Sequence, residues 1–494
     1  MCETCNFGGF NRREFLKVGG TAAVLGSLLP MGGLAFGSDN KGQQLTTKKK
    51  RTKVVVVFLY PPEEVVLAGK FEDANAPNKW STWPGHQFEP ENNQEKFSKK
   101  VKEFGATHSI DLNFWENVYT KAQLAAFIEK MNVSPPDALL IFNFWNSTKE
   151  WAVEMTQKIS VPTIVYQPLG VSHQLPTRYF METPGIIYIH SLENWEMLEN
   201  ALIAVNAQRQ MAQSRLLRVT QVNQSSSSIE KYLGTDVVII PAEEYNSLFD
   251  SFSSSDSSLV REAISFKAKA TKVLDVEDRY IIDGFRARKA ILELVKRYDA
   301  DGITILCLML KERKPCLAFS VNNSALLPSA CEDQWDSALA MMIGRHLFQR
   351  GCFQHNPDFD VNRNHYYASH CTCPLEMHGP GKGELPFLIR PFLHMLPKTG
   401  AVDVQFPPGE KCFLTRYTPW REEICTYTGT VVGSPAINVA AGCATRCILE
   451  VDKVDDVCSI YPGIHPLLYL GNKTEAIRMK MFAKLTKLKF VGNI

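Results

Sequence analysis

The sequence has no surplus of either charge. Its 54 Lys and Arg residues against 52 Asp and Glu leave a formal +2 in 494 residues, so nothing in the balance argues for a nucleic-acid partner. No G-x-G-x-x-G follows the first strand-like run, VVVVFL at 54–59, which argues against a bound dinucleotide. The nucleophile elbow G-x-S-x-G is absent, and with it the usual sign of a serine hydrolase. His378–Glu384 (HGPGKGE) is glycine-rich with a lysine but lacks the strand–loop–helix frame of a phosphate loop, and reads as a mobile loop. Beyond the first 37 residues no apolar window is long enough to span a bilayer.

Disulfide chemistry is also poorly served. Of 13 cysteines, Cys2 and Cys5 lie in the N-terminal leader, and the remaining eleven are an odd number that cannot all pair within one chain. Cys307, Cys316 and Cys331 sit in apolar, strand-like runs and read as small core residues, while a late pair such as Cys443 with Cys458 stays open. His370-Cys371-Thr-Cys373 with His378 does not have the spacing of common zinc knuckles.

What is present begins with the leader. Paired arginines in NRREFLK at 11–17, a weakly hydrophobic run at 18–36 and small residues closing on Gly37 resemble a twin-arginine export signal. Residues 1–37 are therefore expected to be a signal peptide, with the twin-arginine machinery as a partner and a periplasmic or other extracytoplasmic destination. Such export carries proteins already folded, which also argues against a disulfide framework. Residues 38–52, polar and basic, read as a linker.

With 45% hydrophobic residues the chain can bury two or three cores. From 53 to 175, buried-strand runs (54–59, 138–144, 161–166) alternate with helical periodicity (92–104, 121–131), which predicts a doubly wound parallel sheet. Its ligands would sit at the strand ends, at 143–146 and 167–170. Trp145 and Trp151 have the surface to stack on a sugar, though core packing is the commoner use. A second α/β domain is expected over 176–345, with strands at 185–190, 216–220, 237–240, 301–307 and 316–320, a serine-rich turn at 225–228, and helices at 193–212 and 277–298. Short alternating runs at 401–406, 411–416, 424–432, 445–451 and 465–470 predict an antiparallel, barrel-like domain over 346–494, ending on a basic helix near 473–487. The fold class is thus α/β: two doubly wound parallel-sheet domains, then a C-terminal antiparallel β-barrel-like domain.

The chain is organised around 331–373, where Glu332 is expected to open an amphipathic helix, a loop rich in His, Asn and Asp follows, and HYYASH closes the stretch as a strand. Carboxylates and imidazoles from a helix start, a loop and a strand end are what a divalent metal site needs.

Three segments carry a family resemblance. DGITILCLML with KPCLAFSVNNSALLPSACEDQWDSAL, then GCFQHNPDFDVNRNHYYASHC, then GCATRCILEVDKVDDVCSIYPGIHPLLYLGN are similar to the L-fucose and L-arabinose isomerase group. The resemblance implies a divalent cation, usually manganese, held by a glutamate, a second carboxylate and a late histidine; here Glu332 and His465, with His370 lining the pocket or ligating. The second carboxylate's place falls at His355 or Asn356, and Asp358 and Asp360 substitute only if the loop is shifted. The expected metal set is Glu332, His355, His370 and His465, and the expected acid–base set is Glu332, His355, Asp358 and Asp360. The chemistry would be metal-assisted aldose–ketose isomerisation of a monosaccharide through an enediol, which requires an acid–base pair flanking two carbons. The resemblance further implies a homo-oligomer, trimer or hexamer. The alternative is a non-catalytic carbohydrate-binding descendant that lost the second carboxylate. Each residue also has a plainer reading: Glu332 as a helix-start carboxylate, His370 as a satisfied core histidine, His355 as a loop residue.

Overall fold

Runs of β-branched and aromatic residues too apolar to face water on either side form the first sheet. β1 (Thr52–Leu59), β2 (Ile110–Phe114), β3 (Ala138–Asn143), β4 (Thr163–Gln167) and β5 (Ile186–His190) are all parallel, in the order β2-β1-β3-β4-β5. Val54, Val56 and Phe58 face one core, while Val55, Val57 and Leu59 face another, the period-2 signature of a sheet covered on both faces. Residues 49–62, 64–65, 68, 90–145, 148–169, 178–392, 399–435, 443–460 and 462–494 are described by this computed structural model. The expected leader (1–37), most of the linker, Asn146 and Gly170 lie outside them.

The second sheet holds β6 (Arg215–Thr220), β7 (Ser226–Ile229), β8 (Asp236–Pro241), β10 (Gly302–Ile305) and β11 (Ser329–Cys331), ordered β11-β10-β6-β8-β7, parallel except for β7. Leu217, Val219, Ile303 and Ile305 pack there against Ala287, Ile291 and Leu294 of the helix Asp278–Arg297.

The third layer is antiparallel. β12 (Phe353–Gln354), β20 (Leu467–Leu470), β17 (Lys411–Thr418), β18 (Glu423–Gly433), β19 (Thr445–Val451), β14 (His365–His370) and β13 (Asn356–Asp360) follow one another in that order, with β21 (Lys489–Gly492) parallel to β18. A small sheet of β16 (Gly400–Val404), β15 (Phe387–Pro391) and β9 (Lys272–Val273) completes the set. The coarse expectation, an α/β protein with parallel sheets and a late antiparallel one, holds.

Four local expectations need correction. Residues 186–190 are the fifth strand of the first sheet, not the start of a second unit. Cys316–Ser324 is a helix buried on nearly every side, and an apolar run that short carries no period to separate helix from strand. Ser226–Ile229, expected as a turn, is an exposed edge strand whose backbone pairs with β8. β9, from the second region, pairs with β15 of the third, so the strands do not segregate by region. One core joins β1, the helices Trp195–Met211 and Trp335–Phe348, and the terminal helix Lys473–Leu485, and the described residues form one compact unit. Trp145 and Trp151 are buried in cores.

Candidate functional site

The carboxyl ends of β10 and β11 meet the start of the helix Trp335–Phe348, and the three residues between, Glu332-Asp333-Gln334, are half-exposed, as is Trp335 at the helix start. Two of them, Glu332 (φ 61°) and Asp333 (φ 56°), stand consecutively in the left-handed region, where a non-glycine residue costs of order 1–3 kcal/mol. The turn is nonetheless fixed, because the Asp333 N–H donates to the Ile305 carbonyl (3.1 Å) and the Gln334 N–H to that of Cys331 (3.2 Å). β11 is an edge strand, and the buried Gln354 amide closes that edge, accepting from the Cys331 N–H at 2.8 Å and donating to its carbonyl at 3.4 Å.

Two histidines arrive from the antiparallel layer. His370 ends β14; His465, also left-handed at φ 54°, precedes β20 and has its carbonyl held by the Ser337 hydroxyl at 2.7 Å. Their Nε2 atoms are 3.2 Å apart, and the Glu332 carboxylate lies 3.8 Å from His370 and 3.6 Å from His465. Burial, then His355 and Arg416, push His465 down to about 3, so its ring is neutral near pH 7. A glutamate leaving the second sheet and a histidine entering the last β layer therefore do face one point.

Spacing alone would admit a metal. Tetrahedral ligands at ~2.1 Å from an ion stand about 3.4 Å from one another, and one ligand atom from each of Cys331, Glu332 and His370 falls within 4.8 Å of the others. The protons argue otherwise. The Cys371 N–H donates to His370 Nδ1 at 2.8 Å, which puts that ring's own proton on Nε2, facing His465. A ligating nitrogen must offer a lone pair there, and a ligating histidine normally donates its other N–H to a partner. His465 has Nε2 as acceptor and its Nδ1 buried with no partner. The arrangement is a hydrogen-bonded imidazole pair backing a carboxylate, and as it stands it does not fit the expected cation.

The other expected residues are elsewhere. His355 is fully buried with both ring nitrogens engaged, Nε2 with the Tyr366 hydroxyl (2.7 Å) and Nδ1 with the Phe353 carbonyl (3.0 Å), so it is neither ligand nor base. Asp358 and Asp360 are exposed on β13, where Asp358 accepts from the Phe359 N–H (2.8 Å) and Asp360 from the Arg363 N–H (3.3 Å). The strand alternation that points HYYASH inward leaves these two on the solvent side. Asn143 and Gln167, expected at the ends of the first sheet, form a buried polar set with Thr148 and Tyr188.

Sequence reasoning missed the arginines. Arg218 on β6 holds Asp333 through two bonds, 3.0 and 2.9 Å, and lies over the Trp335 ring at 5.9 Å. Arg416 on β17 bonds Asp336 at 2.8 Å, both nearly fully buried, while burial raises the Asp336 carboxyl against the pull of that guanidinium. Each of the three acids in 332–336 thus has its own partner, and only Glu332 faces the imidazoles. A lone arginine inside an apolar strand, as in LLRVT and FLTRYT, was the available signal, since a buried guanidinium demands a carboxylate.

No family model and no curated protein matches the chain. Among solved structures it is similar to an ABC transporter solute-binding protein from Burkholderia multivorans, whose unknown ligand is represented as alpha-D-erythrofuranose (11% identity, 52% of this chain and 80% of that one, TM-score 0.17). It is similar also to an ABC transporter periplasmic solute-binding protein from Actinobacillus succinogenes 130z with bound D-allose (10%, 60% and 92%, TM-score 0.17). A third is a sugar-binding protein of a sugar ABC transporter from Bacillus halodurans (11%, 63% and 91%, TM-score 0.16). Scores this low transfer neither fold nor function. No family model and no curated protein supports the fucose and arabinose isomerase resemblance. That family reading is corrected, and with it the manganese-enzyme expectation that rested on it.

Proposed function

We propose that this chain is a non-catalytic carbohydrate-binding protein whose site is the Glu332–Trp335 turn, backed by His370 and His465. One observation carries the reading: a carboxylate, an amide and an indole ring stand half-exposed on a single turn, with the neighbouring acids already committed to arginines. Sugar hydroxyls want planar acceptors and donors, and the C–H face of a pyranose wants an aromatic ring. Proton shuttling between adjacent carbons would need a second acid–base group opposite Glu332, and the residues expected to supply it lie outside the site. The twin-arginine-like leader supports an extracytoplasmic location.

The test is titration calorimetry of D-allose, L-arabinose and L-fucose against the full chain, with and without chelator. Saturable binding indifferent to chelator, weakened roughly 10–100-fold by Glu332→Gln, is expected, because a hydrogen bond to a charged group is worth about 1.5–3 kcal/mol. Turnover of any of these sugars, or binding lost on chelation, overturns the reading.

A further inference from the structure

Behind Glu332 the second sheet places two thiols together. The register sets Cys331 beside Ile305, and the chain after β10 bends into a short 3-10 turn at Cys307–Leu310 that brings Cys307 back over it. The two sulfurs are 2.8 Å apart, less than ~1 Å beyond the bonded separation of about 2.05 Å. Both residues are buried, so the proximity is imposed by packing.

The surroundings favour charge on Cys307. Its thiol is held below the ordinary range, first by the hydrogen bond from Cys331 and then by the Glu332 backbone N–H and Lys314, against burial and the nearby Glu332 carboxylate. The Cys331 thiol is pushed up by the same bond and by burial. Lys314 is itself buried, its Nζ donating to the carbonyls of Cys307 (2.9 Å) and Leu308 (3.2 Å). The pair therefore has a sulfur favoured as nucleophile and a protonated one 2.8 Å away, placed to resolve it.

We propose that Cys307 and Cys331 are an oxidisable dithiol, converted to a disulfide by hydrogen peroxide, and that this conversion alters the sugar-binding turn. The Cys307 thiolate attacks one peroxide oxygen, breaking the O–O bond; a sulfenic acid forms and hydroxide leaves. The Cys331 thiol attacks the sulfenic sulfur, the S–S bond forms and water departs. Two electrons pass from the sulfurs to the peroxide, and the hydroxide takes a proton, so two waters are the only by-products. Hydrogen peroxide is close to water in size, which suits a buried pair. The disulfide removes the anionic acceptor that anchors the Glu332 N–H. Because Glu332 sits in a strained left-handed conformation, losing that anchor moves its carboxylate.

The consequence for affinity rests on the carbohydrate-binding reading; the thiol chemistry does not. The full-length protein is treated with hydrogen peroxide, unreacted thiols are alkylated, and the digest is mapped. The expected product is one Cys307–Cys331 linked peptide with a loss of two hydrogens, reversed by dithiothreitol and absent from Cys307→Ser and from Cys331→Ser. Over-oxidised Cys307 without the link, or a link between another cysteine pair in its place, overturns the proposal, and mapping the wild-type chain decides this even if a variant does not fold. Affinity for the sugar bound in calorimetry should fall at least ~10-fold on oxidation and return on reduction. Unchanged affinity refutes the coupling, whereas a clean link in a protein that binds none of the three sugars refutes the carbohydrate reading alone.

Discussion

His370 and His465 meet through their Nε2 atoms at 3.2 Å, one imidazole donating and the other accepting, because the Cys371 N–H already occupies His370 Nδ1. That single backbone bond separates a hydrogen-bonded pair from a metal site. It predicts that manganese or zinc added to the purified protein leaves the melting temperature unchanged, and that dialysis against chelator removes no stoichiometric ion. Elemental analysis with thermal melts checks both; a one-to-one ion lost in Glu332→Ala would reverse the tautomer assignment.

The buried imidazoles also set a pH dependence. His465 and His355 are pushed down to about 3 and about 4, mainly by burial, and His346 is held well below its ordinary value for the same reason. Unfolded histidines take up protons near pH ~6.5, so between there and the folded values the unfolded state binds more protons, and stability falls as pH falls. Each group contributes a slope of up to about 1.4 kcal/mol per pH unit. Urea unfolding from about pH 7 to about pH 5 should show the loss, and His465→Gln should flatten the slope by one proton.

Arg416 and Asp336 form a buried pair tying β17 to the helix that carries the site. Removing one partner strands the other charge, so Arg416→Met should cost about 3–5 kcal/mol, while the double change with Asp336→Leu should recover much of that. Denaturant titration of the single and double variants reads this directly. No loss in the single Arg416→Met variant would mean that Asp336 simply takes a proton, a route its raised carboxyl range already opens.

The parallel strands were legible because apolar runs mark them; Glu332 and His370 were singled out by a polar helix start and a strand end, whereas His465 was reached only through the family resemblance. His355 was misplaced because it was located by counting along a loop, and no count reveals that Tyr366 and Phe353 capture both its nitrogens. Cys316–Ser324 was misread because a helix buried all round has no amphipathic period. Asp358 and Asp360 failed on strand parity, which depends on where β13 begins. The arginine partners are long-range pairings, Arg218 with Asp333 and Arg416 with Asp336, which no sequence window can contain.

Gly344 tests how rigidly the site's helix is seated. It lies in Trp335–Phe348 where that helix crosses β20, and a Cβ added there would come 1.7 Å from the Tyr469 hydroxyl and 2.5 Å from its ring carbon. Tyr469 cannot retreat, being fully buried and packed on Phe413 at 5.2 Å and Phe348 at 4.9 Å. Gly344→Ala should therefore displace the helix and cost about 1–3 kcal/mol or more, despite alanine's better helix propensity. Thermal melts measure the cost. Since Glu332–Trp335 leads straight into this helix, sugar affinity should fall with it, and Gly344→Ala combined with Tyr469→Ala should restore part of both. A variant as stable as the parent would mean the helix shifts freely, and a turn held on such a helix could not be preorganised for a ligand.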